Sequence, residues 1–466
     1  MQSRNIKIGT VLNHFMKKIL LSFALIRSDD KALSLRQNFS WTFLSQLVYG
    51  TCQWGTLIVL AKLGTPQMLG QFTLALALLS PVILFFNLNL RGLQASDTKQ
   101  EYFFYDYLLL RIITTTLALC VVVSLVFLGD YQRVTAIIIV FVGLAKAIES
   151  ISDIFYGLFQ QKERMDNIAQ SIIFRSLLSF ITLSLTLYLT NSLKWAVIGW
   201  TITTIITLFV FDIPTSNVFA NVNFKQQLSQ IYQQTLEEYN ISLLYNKWQK
   251  LLNLINFSLP VGGIMMLLAI STNMPRYCIE YYLGQRELGI FAAIAYIPTS
   301  GIIVVSALGQ SALTRLAKYY TKGDKIAYIK LIFQLIFIGV GLGLFGILIA
   351  IFAGKPILTL VYQSEYAEKS DVLLLLMFWV FFSYIGTFLG YAITAARVFR
   401  STLIVVFIKA CTTALFSLSL IPSHGLNGSA YVLVIDEILQ IIGFAIIFIY
   451  ALKKLPKLNE NTFFDT

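Results

Sequence analysis

Apolar residues run through this chain in stretches of about 20, the length a helix needs to cross a hydrocarbon core of about 30 Å. About twelve such stretches occupy 39–62, 68–90, 107–128, 134–157, 168–190, 195–212, 257–276, 289–312, 327–352, 370–391, 402–420 and 428–451. Short polar turns separate them, so the pattern predicts an all-α polytopic membrane protein. Pro81, Pro260 and Pro298 fall inside or at the start of spans, with Gly262 and Gly263 following the second. Kinks are therefore expected in the second, seventh and eighth helices. Residues 1–38 form a basic leader whose apolar stretch "VLNHFMKKILLSFALI" is broken by Lys17 and Lys18 and lacks a small-residue cleavage site. It reads as an amphipathic segment on the membrane surface. Residues 213–256 are the longest polar segment, with apolar positions at helical spacing, and predict a cytoplasmic amphipathic linker; a plain connection explains them equally well. Residues 452–466 are a cytoplasmic tail.

Composition agrees with that pattern. Of 466 residues 57% are hydrophobic and 12% charged, with a mean hydropathy of +0.73, about half the charge of a soluble domain. The net charge of +12 follows from topology. With the N-terminus in the cytoplasm, Arg91, Lys99, Arg111, Lys162, Arg164, Lys225, Lys247, Lys250, the run from Arg315 to Lys330, Arg397, Arg400, Lys453, Lys454 and Lys457 fall inside. Only Lys62, Arg133, Lys194, Arg276, Arg286, Lys355 and Lys369 fall outside. This is the positive-inside asymmetry of a cell-membrane protein with both termini cytoplasmic, and it favours anionic membrane lipids over nucleic acid as partners. Four scattered cysteines give neither a disulfide framework nor a CxxC site. His14 and His424 have no ligand-like neighbours, so no metal and no cofactor is expected.

The chain repeats itself. "AKLGTPQMLGQFTLALA" (61–77) and "YYLGQRELGIFAAIAY" (281–296) each place a Leu-Gly at the end of one span and a Gly-x-Phe at the opening of the next: Leu63-Gly64 with Gly70 and Phe72, Leu283-Gly284 with Gly289 and Phe291. Basic, Tyr-rich stretches lead into the third and ninth spans, and Arg175 and Lys409 lie at matching depth in the fifth span of each half. Any one match is common where membrane helices meet. Three in the same order predict duplication: two pseudo-twofold-related six-helix bundles, 39–212 and 257–451, related by an axis along the membrane normal.

No GxxxxGK[ST], HExxH or GxSxG signature is present, so enzyme chemistry is not expected and alternating access between bundles is. "NMPRYCIEYYLGQRELGIFAAIAYIP" (273–298), "NLNLRGLQASDT" (87–98) and "LIPSHGLNGSAYVL" (420–433) resemble the polysaccharide-biosynthesis flippases, the Wzx-type exporters of the multidrug/oligosaccharidyl-lipid/polysaccharide (MOP) superfamily, from about residue 35 onward. That resemblance implies a V-shaped pair of bundles moving a polyprenyl-pyrophosphate-linked oligosaccharide to the outer leaflet. Polymerases or glycosyltransferases are then candidate partners. A multidrug or organic-cation antiporter of the same superfamily is the alternative, but it calls for a carboxylate deep in the first or seventh span. The first has none, and Glu280 lies past the end of the seventh. A membrane-embedded glycosyltransferase would need paired carboxylates on a large outer loop, where only Glu365 and Glu368 stand.

An isoprenoid tail can stay in lipid, whereas a diphosphate and its sugars need a polar path, because each unpaired polar group costs several kcal/mol in hydrocarbon. Cations within spans are the candidates to hold the diphosphate: Arg175, Lys409 and Lys146. Arg175 and Lys409 lie about seven residues from the cytoplasmic end and could instead snorkel to the headgroups. Lys146 shares a helix face with Glu149 and Asp153, so an ion pair explains it without transport. Those two carboxylates, one turn apart, are alternatively an ion-coupling pair in which each like charge favours protonation of the other. Asp436 and Glu437 are weaker coupling candidates, expected to point apart. Arg276, at the outer end of the seventh span, and Arg91, at the inner end of the second, are candidates for headgroup contact. Gln46, Tyr49 and Gln53, at i, i+3 and i+7, and Asn273 are candidates for sugar hydroxyls, though polar residues also stitch helices together.

Overall fold

The computed structural model describes residues 33–97, 101–219, 241–396 and 398–454. The basic leader to residue 32, the linker between 220 and 240 and the tail from 455 lie outside the described residues. Helix α1 (Leu35–Leu63) opens on a capping box: Ser34 Oγ accepts from the Gln37 amide, and the Gln37 side chain accepts from the Ser34 amide. Helix α2 (Pro66–Asn87) starts on Thr65, which caps it, with Pro66 in the first turn where a missing N–H costs nothing. It ends on Leu88 and Asn89, two successive left-handed residues that turn the chain into the short α3 (Leu90–Ser96). Then come α4 (Phe104–Leu128), α5 (Arg133–Gln161), α6 (Met165–Thr190) and α7 (Leu193–Thr207). A π-turn, Leu208–Asp212, carries α7 on into α8 (Ile213–Phe219).

The second half opens with α9 (Ile241–Leu283), followed by α10 (Gln285–Lys322), α11 (Lys325–Val361), the short α12 (Ser364–Ala367) and α13 (Ser370–Ala395). Helix α9 begins well before the expected seventh span. Its first turns, placed in the polar linker by pattern, bury Leu251 and Leu254 against Leu88, Leu90 and Leu108 of the first half. Helices α10 and α11 have 38 and 37 residues, about 55 Å each at 1.5 Å per residue, so their hairpin outruns the hydrocarbon core. Gly323, with φ of 74°, and the Asp324 cap turn it. The last element, Phe399–Lys453, is continuous helix except at Gly425 (φ 59°, ψ −136°). There it folds back, because Lys409 meets Glu437 and Thr413 meets Asp436. The limbs 399–424 and 426–453 are α14 and α15.

Ten of the described helices are long and apolar enough to cross a membrane. Helix α1, bearing Ser45, Gln46, Thr51 and Gln53, is not among them, and Phe399–Lys453 counts once though it crosses twice. With these two the expected twelve spans are present. One end of the bundle carries Lys162, Arg164, Lys318, Lys322, Lys325 and Lys453; it is here termed the basic end.

The repeated motif lies where the halves meet, at the opposite end. One core cluster holds Leu60, Leu69 and Phe72 together with Ile279, Leu288 and Phe291. A methyl group on Gly70 would sit 1.6 Å from the Gln285 carbonyl oxygen, and one on Gly289 would sit 1.9 Å from that of Pro66. Each copy supplies the glycine that lets the other copy's backbone approach. Around the contact, Tyr277 donates to the Ala77 carbonyl (2.6 Å), Lys62 to that of Leu360 (2.7 Å) and Gln363 to that of Lys62 (3.1 Å).

A side chain at this crossing must push the halves apart. Gly70→Val is expected to lower stability by about 1–3 kcal/mol, read as a lower melting temperature of the purified protein in detergent. Gly263→Ala, whose added methyl meets nothing within 4 Å, should leave melting unchanged.

Candidate functional site

Two cavities occupy the membrane-spanning part, one in each half. The first, about 260 Å³, lies among α1, α2, α3, α5 and α6 and is lined by Gln46, Tyr49, Asn87, Arg91, Lys146, Glu149, Asp153, Tyr156 and Arg175. A smaller space of about 30 Å³ shares Tyr49, Glu149 and Arg175 with it and adds Gln53, Thr56 and Trp200. The i, i+3, i+7 face of α1 that sequence singled out thus looks into this polar space.

Its charges are arranged in pairs with one left over. Lys146 Nζ bonds Glu149 at 2.8 Å and lies over the Trp200 ring at 5.4 Å. Asp153 takes Arg91 at 3.1 Å and Arg111 at 3.7 Å. Glu149 thus has Lys146, the ion pair that the i, i+3 interval suggests, while Asp153 has two arginines instead of Lys146. One of them is Arg111, expected as a loop cation but wholly buried in α4, where it also donates to the Asn87 side chain. Arg175 has no carboxylate within ion-pair distance and no hydrogen bond among the described residues, and its Nη1 is buried without a partner. Its guanidinium lies 5.7 Å from the Tyr156 ring centroid, and that of Arg91 lies 5.6 Å from the same ring. A π-face holds two cations together here. The α6 helix starts at Met165, about 15 Å from Arg175, and the guanidinium lies in the cavity wall beside Tyr156 rather than at that helix end.

Behind the ring, the Tyr156 hydroxyl and Ser171 Oγ are 2.7 Å apart, and Ser171 donates to the buried Asp212. Asp212 closes the π-turn, a distortion frequent at functional sites. Sequence pattern passed over it as the last residue of a span, although a carboxylate inside "TLFVFDI" was the available signal. Arg111 gave less, because the positive-inside rule had already accounted for it.

The second cavity, about 310 Å³, is lined by residues of α9, α10, α13, α14 and α15, among them Arg276, Tyr296, Trp379, Lys409, Asp436 and Glu437. Arg276 is inside α9, two turns before its end, rather than at the edge of the span. Lys409 bonds Glu437 (2.9 Å) and Gln440 (2.6 Å). Asp436 accepts from Thr412 and Thr413. Asp436 and Glu437 were expected to point apart, yet both are buried against α14, one on each side of the contact line. Asn273 is withdrawn from the wall: it is 4% exposed, donates to the Ala269 carbonyl and accepts from Arg276 Nη1 at 2.6 Å. The cavities adjoin where the Tyr296 hydroxyl reaches the Gly50 carbonyl, at 3.5 Å. Among the described residues no group of three or more His, Cys, Asp or Glu could hold a metal ion.

Two bundles of membrane-spanning helices, each with a polar cavity, make up a fold also seen in solved transporters of the MOP superfamily. An inward-facing multidrug resistance MATE family transporter of that superfamily superposes with a TM-score of 0.65 at 13% identity, covering 90% of this chain and 96% of the other. The lipid II flippase MurJ in an inward closed conformation gives 0.63 at 13% identity, with 90% and 91% covered. A profile of the polysaccharide biosynthesis protein family matches residues 35–314, and the chain belongs to that family. It is 27% identical over 409 residues to the capsular polysaccharide biosynthesis protein CapF of Staphylococcus aureus, covering 88% of this chain and 98% of the relative.

The ion pairs carry an asymmetric expectation. Asp153→Asn strands the buried Arg111 and should cost about 3–5 kcal/mol. Arg111→Met leaves Asp153 paired with Arg91 and should cost clearly less. Thermal unfolding of the two variants in the same detergent checks the order.

Proposed function

We propose that this protein is a flippase that moves a polyprenyl-diphosphate-linked oligosaccharide across the cytoplasmic membrane by alternating access. The observation that carries the reading is the membrane-embedded cavity with three lining cations, Arg91, Lys146 and Arg175, against two carboxylates. Arg175 keeps its donors free of carboxylate. A guanidinium offers a planar fork that matches phosphate oxygens, and at this depth little water competes with it. Arg175 takes the diphosphate from one side, Lys146 and Arg91 neutralise its remaining charge, and the polyprenyl chain stays in lipid throughout. The positive-inside rule assigns the basic end to the cytoplasm. The glycine crossing then closes the outer end, and the cavity receives its cargo from inside. Rocking of the halves about their seam exchanges the open end. Nothing in the cycle needs covalent chemistry.

Membership in the polysaccharide biosynthesis family supports the glycan side of this reading. The antiporter alternative fits less well. Helix α1 carries no carboxylate, and a cationic drug entering the first cavity would meet an excess of like charge. The carboxylates Glu149, Asp153, Asp436 and Glu437 remain candidates for ion coupling, each through release of the cation or hydroxyl it now holds. Polymerases and glycosyltransferases are candidate partners at the basic end.

In cells without a second transporter of this kind, deleting the gene should trap lipid-linked glycan on the cytoplasmic leaflet. Normal arrival at the outer leaflet would defeat the assignment. Arg175→Gln should slow transport about 10- to 100-fold at unchanged protein level, the loss of one charge-assisted hydrogen bond of about 1.5–3 kcal/mol. The measurement is outer-leaflet lipid-linked glycan against time.

A further inference from the structure

We infer that the cavity of the second half is a separate subsite for a pyranose ring of the cargo, while the diphosphate stays in the first half. This rests on the flippase reading but assigns a different set of residues. The two cavities differ in charge. The first has one more cation than carboxylates among its lining residues, whereas in the second Arg276 and Lys409 are matched by Asp436 and Glu437. A diphosphate is favoured in the first, whereas in the second the lining charges balance and Lys409 is already bonded to Glu437 and Gln440.

What the second cavity offers is an aromatic face among hydroxyls. Trp379 lines it with Tyr296, and the Trp379 indole makes no hydrogen bond among the described residues, so its N–H is available. Thr272 and Thr299 donate to the Leu268 and Tyr296 carbonyls of their own helices, at 3.0 and 2.8 Å. Their oxygen lone pairs are left to accept. Arg276 spends Nη1 on Asn273 and has no carboxylate partner among the described residues, which leaves further donors at the wall. A flat apolar ring flanked by both donors and acceptors suits the C–H face and hydroxyl rim of a sugar better than an anion or an acyl chain. A volume of about 310 Å³ admits one or two rings. Tyr296 reaches the Gly50 carbonyl beside Tyr49, so the subsites adjoin across the seam, as a sugar bonded to a diphosphate requires.

The test uses the full-length protein in lipid nanodiscs and two probes, farnesyl diphosphate and farnesyl-diphosphate-linked N-acetylglucosamine. The wild type should bind the sugar-bearing probe about tenfold more tightly. Trp379→Ala should erase that difference while leaving the Kd for farnesyl diphosphate within about twofold, and Trp379→Phe, which keeps a ring, should retain most of it. The subsite is overturned if the wild type gains nothing from the sugar. It is also overturned if Trp379→Ala keeps the full gain, or weakens both probes alike. Arg175→Gln separates the two readings: unchanged farnesyl diphosphate binding in that variant defeats the diphosphate site, whereas the sugar subsite is judged by the Trp379 difference alone.

Discussion

A charged side chain inside a hydrocarbon layer can be satisfied only by other protein groups, by trapped water or by cargo. The interior of this bundle is organised by that constraint. Lys146, Arg91, Arg111 and Lys409 each face a carboxylate, and Asp436 accepts from two threonine hydroxyls. Asp153 holds Arg91 and Arg111 at once, and Glu437 holds Lys409, so these contacts tie neighbouring helices together as well as balance charge. Arg276 has no carboxylate among the described residues but is bonded to Asn273, whereas Arg175 has neither. Its guanidinium rests on a tyrosine face at the wall of the first cavity, with Nη1 buried and unbonded. A cation kept that way is costly unless something anionic visits it.

The glycine seam answers to a different constraint with a similar result. Two helices cross this closely because neither carries a Cβ at the contact, and the crossing of α2 with α10 is reciprocal because the same Gly-x-Phe motif stands on both. One sequence motif, used twice, builds both sides of a single contact. The contact buries no charge and relies on backbone proximity and apolar neighbours, Leu69, Phe72, Leu288 and Phe291. Such an interface can separate without leaving an ion unpaired, a useful property for a part that has to open. The seam and the cavities thus divide the work. Ion pairs among the described residues stand within each half, while glycines, apolar side chains and a few hydrogen bonds to backbone carbonyls join the halves.

Much of this was legible in the sequence because membranes enforce simple rules. Span length followed from hydrocarbon thickness, and the fold-back at Gly425 from the interruption in "IPSHGLNG". The inward face of α1 followed from three polar residues at helical spacing, and the Lys146–Glu149 pair from an i, i+3 interval. Other features depended on neighbours that no local pattern names. Arg111 sits near a helix end in sequence and deep in the protein in space, against Asn87 and Asp153. Asp436 and Glu437 share one partner helix, the first held by Thr412 and Thr413 and the second by Lys409. Arg276 was misjudged by its distance from the end of an apolar run, since α9 carries on for two more turns through tyrosines and Glu280.

The same constraint bears on how the two halves came to differ. A cation stands at matching depth in each, Arg175 in α6 and Lys409 in α14. In the second half Glu437 neutralises that cation directly, while in the first the corresponding neighbourhood offers Tyr156, with Asp212 held one residue further back behind Ser171. A carboxylate in contact cancels the field at the cavity wall. One set behind a tyrosine and a serine lowers the energy of the buried arginine yet leaves its N–H groups free. The first half is thereby electropositive at its surface while remaining tolerable to bury, and the second is polar without net charge. Two cavities of unlike charge suit the unlike parts of the proposed amphipathic cargo, so that neither has to bind the whole of it.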